Sequence, residues 1–221
     1  MAREPLRERQ EANEAAIAPL MESDDVPMTH HRLLREVRDF LPRDAIITVD
    51  GQISFSTARQ VLPSFTPASR MNSGSNGCMG VGVPFAIGAK LARPDVPVIS
   101  INGDAAFGFN GMEMETAIRY DLPVVFVVDN NDGIMGSVLE RQMFQSEPPE
   151  RVAMYSPGVR YDRIIEAFGG HGEHVERPDE IRPALERAFA SGRAACINVR
   201  VDPAAIWPIP TAGRPSSLMG Y

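Results

Sequence analysis

The segment "NGDAAFGFNGMEMETAIRYDLPVVFVVDNN" (residues 102–131) follows one short apolar run and contains another. The runs at 96–101 and 123–128 are rich in valine and isoleucine, which is typical of strands buried inside a sheet. The residues between them, from about 111 to 119, have the composition of a helix. Together they predict a strand, a helix and a second strand, the repeating unit of a parallel sheet.

The same alternation continues in both directions along the chain. Further strands are predicted at 45–50, near 174 and at 194–200, and further helices at about 5–20, 30–41, 52–61, 80–92, 160–168 and 178–190. This order indicates an α/β fold, an open parallel sheet with helices on both faces. We expect a helical connector at 1–26, the sheet domain at 27–200 and a C-terminal tail at 201–221.

Composition excludes several classes of protein. The 221 residues suffice for one sizeable domain with an extension, and the net charge of −7 disfavours a nucleic-acid surface. The sequence contains no run of 18 apolar residues, so it predicts no membrane-spanning helix. The two cysteines, Cys78 and Cys196, cannot form a disulfide framework, so we expect a cytoplasmic protein. The four histidines show no spacing typical of metal ligands and are predicted to lie at the surface or at helix ends.

Polar residues follow the two strands of the opening segment. Asp104 follows the first strand, and Asn131 and Gly133 follow the second, so both loops leave the same edge of the predicted sheet. A carboxylate, an amide oxygen and a carbonyl oxygen form a set that suits Mg²⁺. Ala105 and Ala106 are small enough for their backbone N–H groups to approach a diphosphate closely. Alternatively, Asp104 is a helix cap and Asn131 an ordinary turn residue.

This spacing carries a family resemblance. Asn131 follows Asp104 by 27 residues, and "GDA" with "NNDG" resembles the GDG-to-NN motif of thiamine-diphosphate (ThDP) enzymes. The run "GDAAFGFNGMEMETAIRYDLPVVFVVDNNDGI" most closely resembles the 2-hydroxyacyl-CoA lyase and oxalyl-CoA decarboxylase branch, and the likeness continues upstream through "MNSGSNGCMGVGVPFAIGAKLARPDVPVISI". It covers roughly residues 27–200, the family's C-terminal pyrophosphate-binding domain. Ala105 is one departure, because many members have glycine there.

The resemblance implies a role for each matching residue. Asp104, the Asn131 side chain and the Gly133 carbonyl would hold Mg²⁺ against the diphosphate of ThDP, while Asn130 would belong to the turn. Gly77 and Met79 would have catalytic roles in setting the bent cofactor conformation, Gly77 through its carbonyl and Met79 as an apolar wedge. The full set of implied cofactor-binding residues is Gly51, Gln52, Gly77, Met79, Gly103, Asp104, Ala105, Ala106, Asn131, Gly133 and Ile134. Core packing for Met79 and a surface position for Gln52 remain open alternatives.

A partner chain is also implied. In the family, the glutamate that acts on the cofactor's pyrimidine ring belongs to a separate N-terminal domain. We therefore expect a larger subunit that carries the pyrimidine-binding and middle domains, in a heterotetramer or larger assembly. A fragment of a longer protein is the alternative.

The implied activity is that of a carbon–carbon lyase. A 2-hydroxyacyl-CoA would be cleaved to an aldehyde or ketone and formyl-CoA, or formed by the reverse condensation. The alternatives are a 2-oxo acid or oxalyl-CoA decarboxylase, an acetolactate-synthase-like subunit, a non-catalytic or regulatory cofactor-binding subunit, and an unrelated Mg²⁺-dependent phosphate-ester-binding domain. By analogy with acyl-CoA enzymes of the family, Arg214, Ser216 and Ser217 in the tail would contact the acyl-CoA substrate, although a plain surface tail fits equally well.

Overall fold

The computed structural model describes residues 3–137 and 153–205, with side chains from residue 7 onward. Its described part contains a six-stranded sheet in the order β2-β1-β3-β4-β6-β5, and every neighbouring pair of strands is parallel. The strands are β1 (Ile46–Asp50), β2 (Arg70–Met71), β3 (Val98–Gly103), β4 (Val124–Asn130), β5 (His171–Val175) and β6 (Ala195–Arg200). The predicted parallel α/β sheet is confirmed.

Eight α-helices accompany the sheet in the described residues. They are α1 (Arg3–Glu22), α2 (His30–Phe40), α3 (Gln52–Val61), α4 (Gly82–Ala92), α5 (Asp104–Asn110), α6 (Met114–Arg119), α7 (Asp162–Ala167) and α8 (Pro178–Ala190). Two short 3₁₀ turns lie at Gly74–Asn76 and Gly111–Glu113. None of the helices in the described ranges is long and apolar enough to cross a membrane.

Helices cover both faces of the sheet, because alternate strand residues point to opposite sides. In β4, Val125 and Val127 pack in a core shared with α1, α2, α3 and α8. Phe126 and its alternate neighbours pack in a second core with α4, α5, α6 and α7. A strand buried on both faces must be apolar at every position, which explains the unbroken run that begins at Val124.

Some element boundaries differ from the prediction. Helix α5 begins at Asp104, directly after β3, and a 3₁₀ turn separates it from α6 at Met114. Three glycines, at 103, 108 and 111, weaken the helical pattern of this stretch, but burial of Phe107 anchors the helix. The strand β2 was not predicted, because its two residues are too few to show the hydrophobic pattern of a strand.

The start of α2 agrees with the sequence. Thr29 is the N-cap, and its Oγ1 accepts a hydrogen bond of 3.0 Å from the Arg32 backbone N–H. The cap makes His30 the first residue of the helix. Asp202 donates its backbone N–H to the Met28 carbonyl just before this cap, which ties the start of α2 to the residues after β6.

Helix α2 should contribute measurably to stability through its buried leucines. Leu34 is fully buried, so Leu34→Ala should lower the free energy of unfolding by about 2–5 kcal/mol through lost burial and the cavity left behind. Leu91→Ala, at a helical position that is 57% exposed, should change it by no more than about 0.5 kcal/mol. Urea denaturation of both variants measures the difference, and equal losses would contradict this packing.

Candidate active site

The carboxyl ends of β3 and β4 bring the predicted metal ligands together. These strands pair in parallel, with Gly103 opposite Asp129, so the residues that follow them emerge side by side. Asp104 Oδ2 accepts a hydrogen bond of 2.9 Å from the Gly133 backbone N–H. Asp104 Oδ1 accepts a second, of 2.7 Å, from the Ala105 N–H. The carboxylate is therefore fixed between the two loops.

The Asn131 amide completes a cluster of oxygens beside Asp104. One terminal atom of this amide lies 2.9 Å from the Gly133 carbonyl oxygen and 3.2 Å from Asp104 Oδ1. If the amide nitrogen occupies this position, it donates to both oxygens, and the amide oxygen accepts from the Gly136 N–H at 3.1 Å. If the amide oxygen occupies it, three acceptors face one another, an arrangement that needs a cation or a proton between them. The first orientation suits the chain without a metal, and the second would suit a bound cation.

Asp104 is costly to keep charged without a cation. Burial raises the pKa of Asp104 to about 7, although the backbone N–H groups of Gly133 and Ala105 oppose the shift; nearby Asp129 and Asp132 raise it further. A buried carboxylate close to other carboxylates is stabilised by binding a proton or a nearby cation.

The loop after β4 is held by its own polar contacts. Asn130 is the last residue of β4, so the expectation that it belongs to the turn was wrong. Its Nδ2 donates to the Val159 carbonyl at 3.1 Å and to Asn198 Oδ1 at 3.0 Å, while its Oδ1 accepts from the Asp132 N–H at 3.2 Å. The amide thus closes the turn from its strand position, and Asn131, not Asn130, faces Asp104.

Asp132 and Gly133 set the path of the same loop. Arg200 at the end of β6 forms a two-pronged ion pair with Asp132, with Nη2 and Oδ2 2.6 Å apart. A Cβ atom on Gly133 would lie 2.5 Å from the Ala153 carbonyl oxygen, so no larger residue fits. The ion pair with Arg200 offsets the cost of burying the Asp132 carboxylate.

Asp50 connects the end of β1 to the loop that bears Gly77 and Met79. Its Oδ2 accepts hydrogen bonds of 2.8 Å from the N–H groups of Gly80 and Gly82, and its Oδ1 accepts one of 2.8 Å from Gly51. Sequence reasoning missed this role. The acidic residue at the strand end was visible, but its partners are 30 and 32 residues away.

One cavity gathers most of the predicted cofactor-binding residues. The predicted residues that line it are Gly51, Gln52, Met79, Gly103, Asp104, Ala105, Ala106, Asn131, Gly133 and Ile134. Gly77 does not line the cavity and lies in an exposed left-handed turn. Met79 is 38% exposed, so in this chain it is not a core residue. Arg214, Ser216 and Ser217 lie outside the described residues.

Gly51 allows the loop after β1 to approach the end of β3. Its φ of +94° favours glycine, and a Cβ atom there would lie 3.1 Å from the Gly103 backbone nitrogen. Gln52 follows as the first residue of α3 and is exposed at the cavity.

Two of the histidines expected at the surface or at helix ends lie at a helix end but are buried. His30 and His31 do begin a helix as predicted, but each is only 2% exposed. His30 Nδ1 lies 2.8 Å from Asp129 Oδ1, and Ser54 donates its hydroxyl to Asp129 Oδ2 at 2.7 Å. His30 also lines the cavity, so sequence reasoning missed a residue of the site.

These residues fit a diphosphate and a divalent cation. The oxygen cluster of Asp104, Asn131 and Gly133 supplies hard ligands, and small residues beside it leave the backbone accessible. No group of three His, Cys, Asp or Glu side chains suited to a metal occurs in residues 3–137 and 153–205. A cation here would accordingly be held by one carboxylate with neutral oxygens and by the ligand's own phosphates.

A parallel α/β sheet with a polar cavity at the carboxyl ends of its strands has the arrangement in which open α/β folds bind their ligands. Residues 51–199 match the family described as "Thiamine pyrophosphate enzyme, C-terminal TPP binding domain". The chain belongs to this family, as the sequence resemblance indicated.

Known relatives include several kinds of ThDP-related enzyme. The chain is 42% identical over 191 residues to "Probable acetolactate synthase" of Mycobacterium bovis, covering 84% of this chain and 34% of that protein. It is 34% identical over 211 residues to human "2-hydroxyacyl-CoA lyase 1", covering 90% and 36%. A solved structure, "Rhodococcus jostii RHA1 thiamine diphosphate-dependent 4-hydroxybenzoylformate decarboxylase", superposes with a TM-score of 0.71 at 26% identity, covering 81% of this chain and 34% of that one. The chain thus spans about a third of the length of these relatives.

The Asp50 clamp should control the order of the loop that bears Met79. Asp50→Asn leaves only one accepting oxygen, so hydrogen exchange should speed up about tenfold or more at one or more of the Gly51, Gly80 and Gly82 N–H groups, because a lost bond to a charged acceptor costs about 1.5–3 kcal/mol. Residue-resolved exchange by NMR measures this. Exposed Asp44→Asn is the control, and unchanged exchange in Asp50→Asn would contradict the clamp.

Asp104 should make the metal-free chain less stable as pH rises. Its pKa of about 7 in the folded state exceeds the ordinary value of 3.8, so between these values the folded state holds a proton that the unfolded state releases. This term therefore stabilises the fold fully below about pH 4 and is lost as pH rises to about 7.

Asp104→Asn mimics the protonated acid and should remove this loss. The stability gain of the variant over the parent should be small near pH 4, grow by about 1.4 kcal/mol for each pH unit in the affected range, and level off above pH 7. Urea denaturation in chelator across this range measures it. Parallel profiles for the two proteins would show that Asp104 is not buried in this way.

Proposed function

We propose that this chain binds ThDP together with Mg²⁺ at the carboxyl ends of β3 and β4. The observation that carries the proposal is the convergence of an Asp104 oxygen, the Asn131 amide and the Gly133 carbonyl inside a segment that matches the ThDP-binding family. Asp104 and Asn131 would bind the cation through side-chain oxygens, and Gly133 through its carbonyl. The backbone of Ala105 and Ala106 borders the space for the diphosphate.

The bound cofactor would supply an electron sink for breaking or forming a carbon–carbon bond next to a carbonyl. This chain's residues would position it. Met79, which lines the cavity, would present an apolar side chain to the rings, and Asp50 holds the loop that carries Met79. Gly77, in its left-handed turn, would present a carbonyl to the cofactor amine.

A 2-hydroxyacyl-CoA is the substrate we propose, with cleavage to an aldehyde or ketone and formyl-CoA, or the reverse condensation. Support comes from the human relative named 2-hydroxyacyl-CoA lyase 1, which matches 90% of the chain. A 2-oxo acid is the second candidate, favoured by the 42% identity to the protein named probable acetolactate synthase. Both candidates belong to the same reaction class, so they differ in the substrate that is consumed. Assaying each substrate separately under the same conditions distinguishes them.

The active site would be completed by a larger partner subunit that carries the pyrimidine-binding and middle domains. Supporting this, large apolar side chains are exposed on segments next to the cavity; we call Met79, Phe85, Phe109 and Met112 the apolar rim. Phe109 and Met112 are 64% and 65% exposed. Phe109 abuts Gly80, where an added Cβ would lie 3.0 Å from Phe109 Cβ, so the apolar rim adjoins the loop of Met79. Exposed apolar groups clustered in this way are typical of a protein interface.

Calorimetry tests the cofactor proposal directly. Asp104→Ala should abolish detectable ThDP binding in the presence of Mg²⁺, because a carboxylate facing the cation is hard to replace, and Asn131→Ala should weaken binding less. The exposed Asp95→Ala is the control and should bind as the parent does. Each protein is titrated in the form in which the parent binds, with the partner where assembly is required. Unchanged affinity in Asp104→Ala would refute the metal assignment.

The partner proposal predicts that the chain alone has no turnover. With ThDP and Mg²⁺, neither a 2-hydroxyacyl-CoA nor a 2-oxo acid should yield product until the larger subunit is added, and the two should then co-elute from a sizing column. Phe109→Asp should prevent association by placing a charge in the apolar rim, whereas Phe65→Asp, at a 51% exposed position outside the apolar rim, should not. Robust turnover by the verified single chain would contradict the proposal.

A further inference from the structure

His30 lies beside the proposed cation and diphosphate site, and no contact within the described part of the chain accounts for its second ring nitrogen. Nδ1 faces Asp129 Oδ1 at 2.8 Å, whereas Nε2 is buried and has no hydrogen-bond partner among residues 3–137 and 153–205. His30 is 2% exposed and lines the same cavity as Gly51, Asp104 and Ala105. A buried polar atom without a partner is costly, so its retention at a cavity wall points to a ligand.

Asp129 determines what this ring can offer a ligand. Both of its oxygens are engaged, one by His30 Nδ1 and the other by the Ser54 hydroxyl at 2.7 Å, so its orientation is fixed. A carboxylate beside Nδ1 requires a proton on that nitrogen. Nε2 then carries a hydrogen only if the ring is the cation.

The charges around His30 favour that cation. Burial is the largest single effect and would lower the pKa of His30, but the charge and hydrogen bond of Asp129, together with the charges of Asp104 and Asp202, outweigh burial and raise the pKa above its ordinary value. A fixed imidazolium with one N–H pointing away from its carboxylate is a donor suited to an anion.

We propose that His30 is a diphosphate-binding residue, whose Nε2–H donates a charge-assisted hydrogen bond to a phosphate oxygen of the cofactor. Asp129 orients the ring, and Ser54 orients Asp129. This inference rests on the proposed ThDP site and adds to it a cation from α2, an element outside the loops that the family motif covers. It also accounts for the two buried polar groups, His30 and Asp129, behind the site.

His31 provides a matched comparison one residue along the chain. It is equally buried, but its Nε2 already bonds to Gln60 Oε1 at 3.0 Å, and burial lowers the pKa of its ring. It is not among the residues that line the cavity. A ligand in the cavity should therefore affect His30 and leave His31 unchanged.

Binding measurements test the proposal with the full chain, in the assembly if the parent needs it to bind ThDP. His30→Gln keeps a polar side chain but removes the charge, and should weaken binding of ThDP and of inorganic pyrophosphate, each with Mg²⁺, by about 10- to 100-fold. His31→Gln should alter neither affinity by more than about twofold. Equal affinity in the parent and in His30→Gln would overturn the inference.

A measurement on the unmodified protein keeps the proposal testable if His30→Gln does not fold. With ¹⁵N-labelled histidine, adding Mg²⁺ and pyrophosphate should shift the Nε2 resonance of His30 and leave that of His31 in place. Binding detected by calorimetry without a change at His30 would overturn this inference and leave the ThDP site standing. Failure of the parent to bind ThDP at all would overturn the proposed function and this inference with it.

Discussion

The parallel pairing of β3 with β4 is the constraint on which the site depends. Because Gly103 lies opposite Asp129, the chain leaves both strands at the same level, and Asp104 reaches the Gly133 N–H without a long loop. The pairing is stabilised by side chains buried on both faces of β4, which act independently of the polar groups at its end. A rigid core thus holds a polar site at its edge, where precise geometry is needed.

The polar groups behind this edge oppose stability when no ligand is present. Burial raises the pKa of Asp104 to about 7, His30 Nε2 has no partner in the ranges that the structure describes, and the Asn131 amide stands among acceptors in one of its two orientations. The proposed ligand, a divalent cation bound to a diphosphate, would relieve each of these costs. Other buried charges, such as Asp132 with Arg200, are paired within the protein and need no ligand. This contrast distinguishes the residues proposed to bind the ligand, Asp104, Asn131 and His30, from Asp132 and Arg200, which hold the loop.

Much of the fold could be predicted because its information is local. Short apolar runs indicate buried strands. Asp104 and Asn131 directly follow two such strands, so they lie at the carboxyl ends of the strands. The beginning of α5 was missed since glycines weaken its pattern while the tertiary burial of Phe107 stabilises it. The burial of His30 was missed for a different reason. Two histidines after an N-cap are typical of an exposed helix end, and the partner that fixes His30 is 99 residues away. The same holds for Asp50, whose partners lie in another loop.

A metal-substituted crystal structure would test the central claim most directly. Mn²⁺ accepts the same oxygen ligands as Mg²⁺ and gives an anomalous X-ray signal. In crystals grown with Mn²⁺ and ThDP, the account predicts one strong anomalous peak bonded to an Asp104 carboxylate oxygen, the Asn131 amide oxygen and the Gly133 carbonyl oxygen, with the cofactor's phosphates completing the coordination. Ordered ThDP whose metal peak lies away from these three oxygens would contradict it.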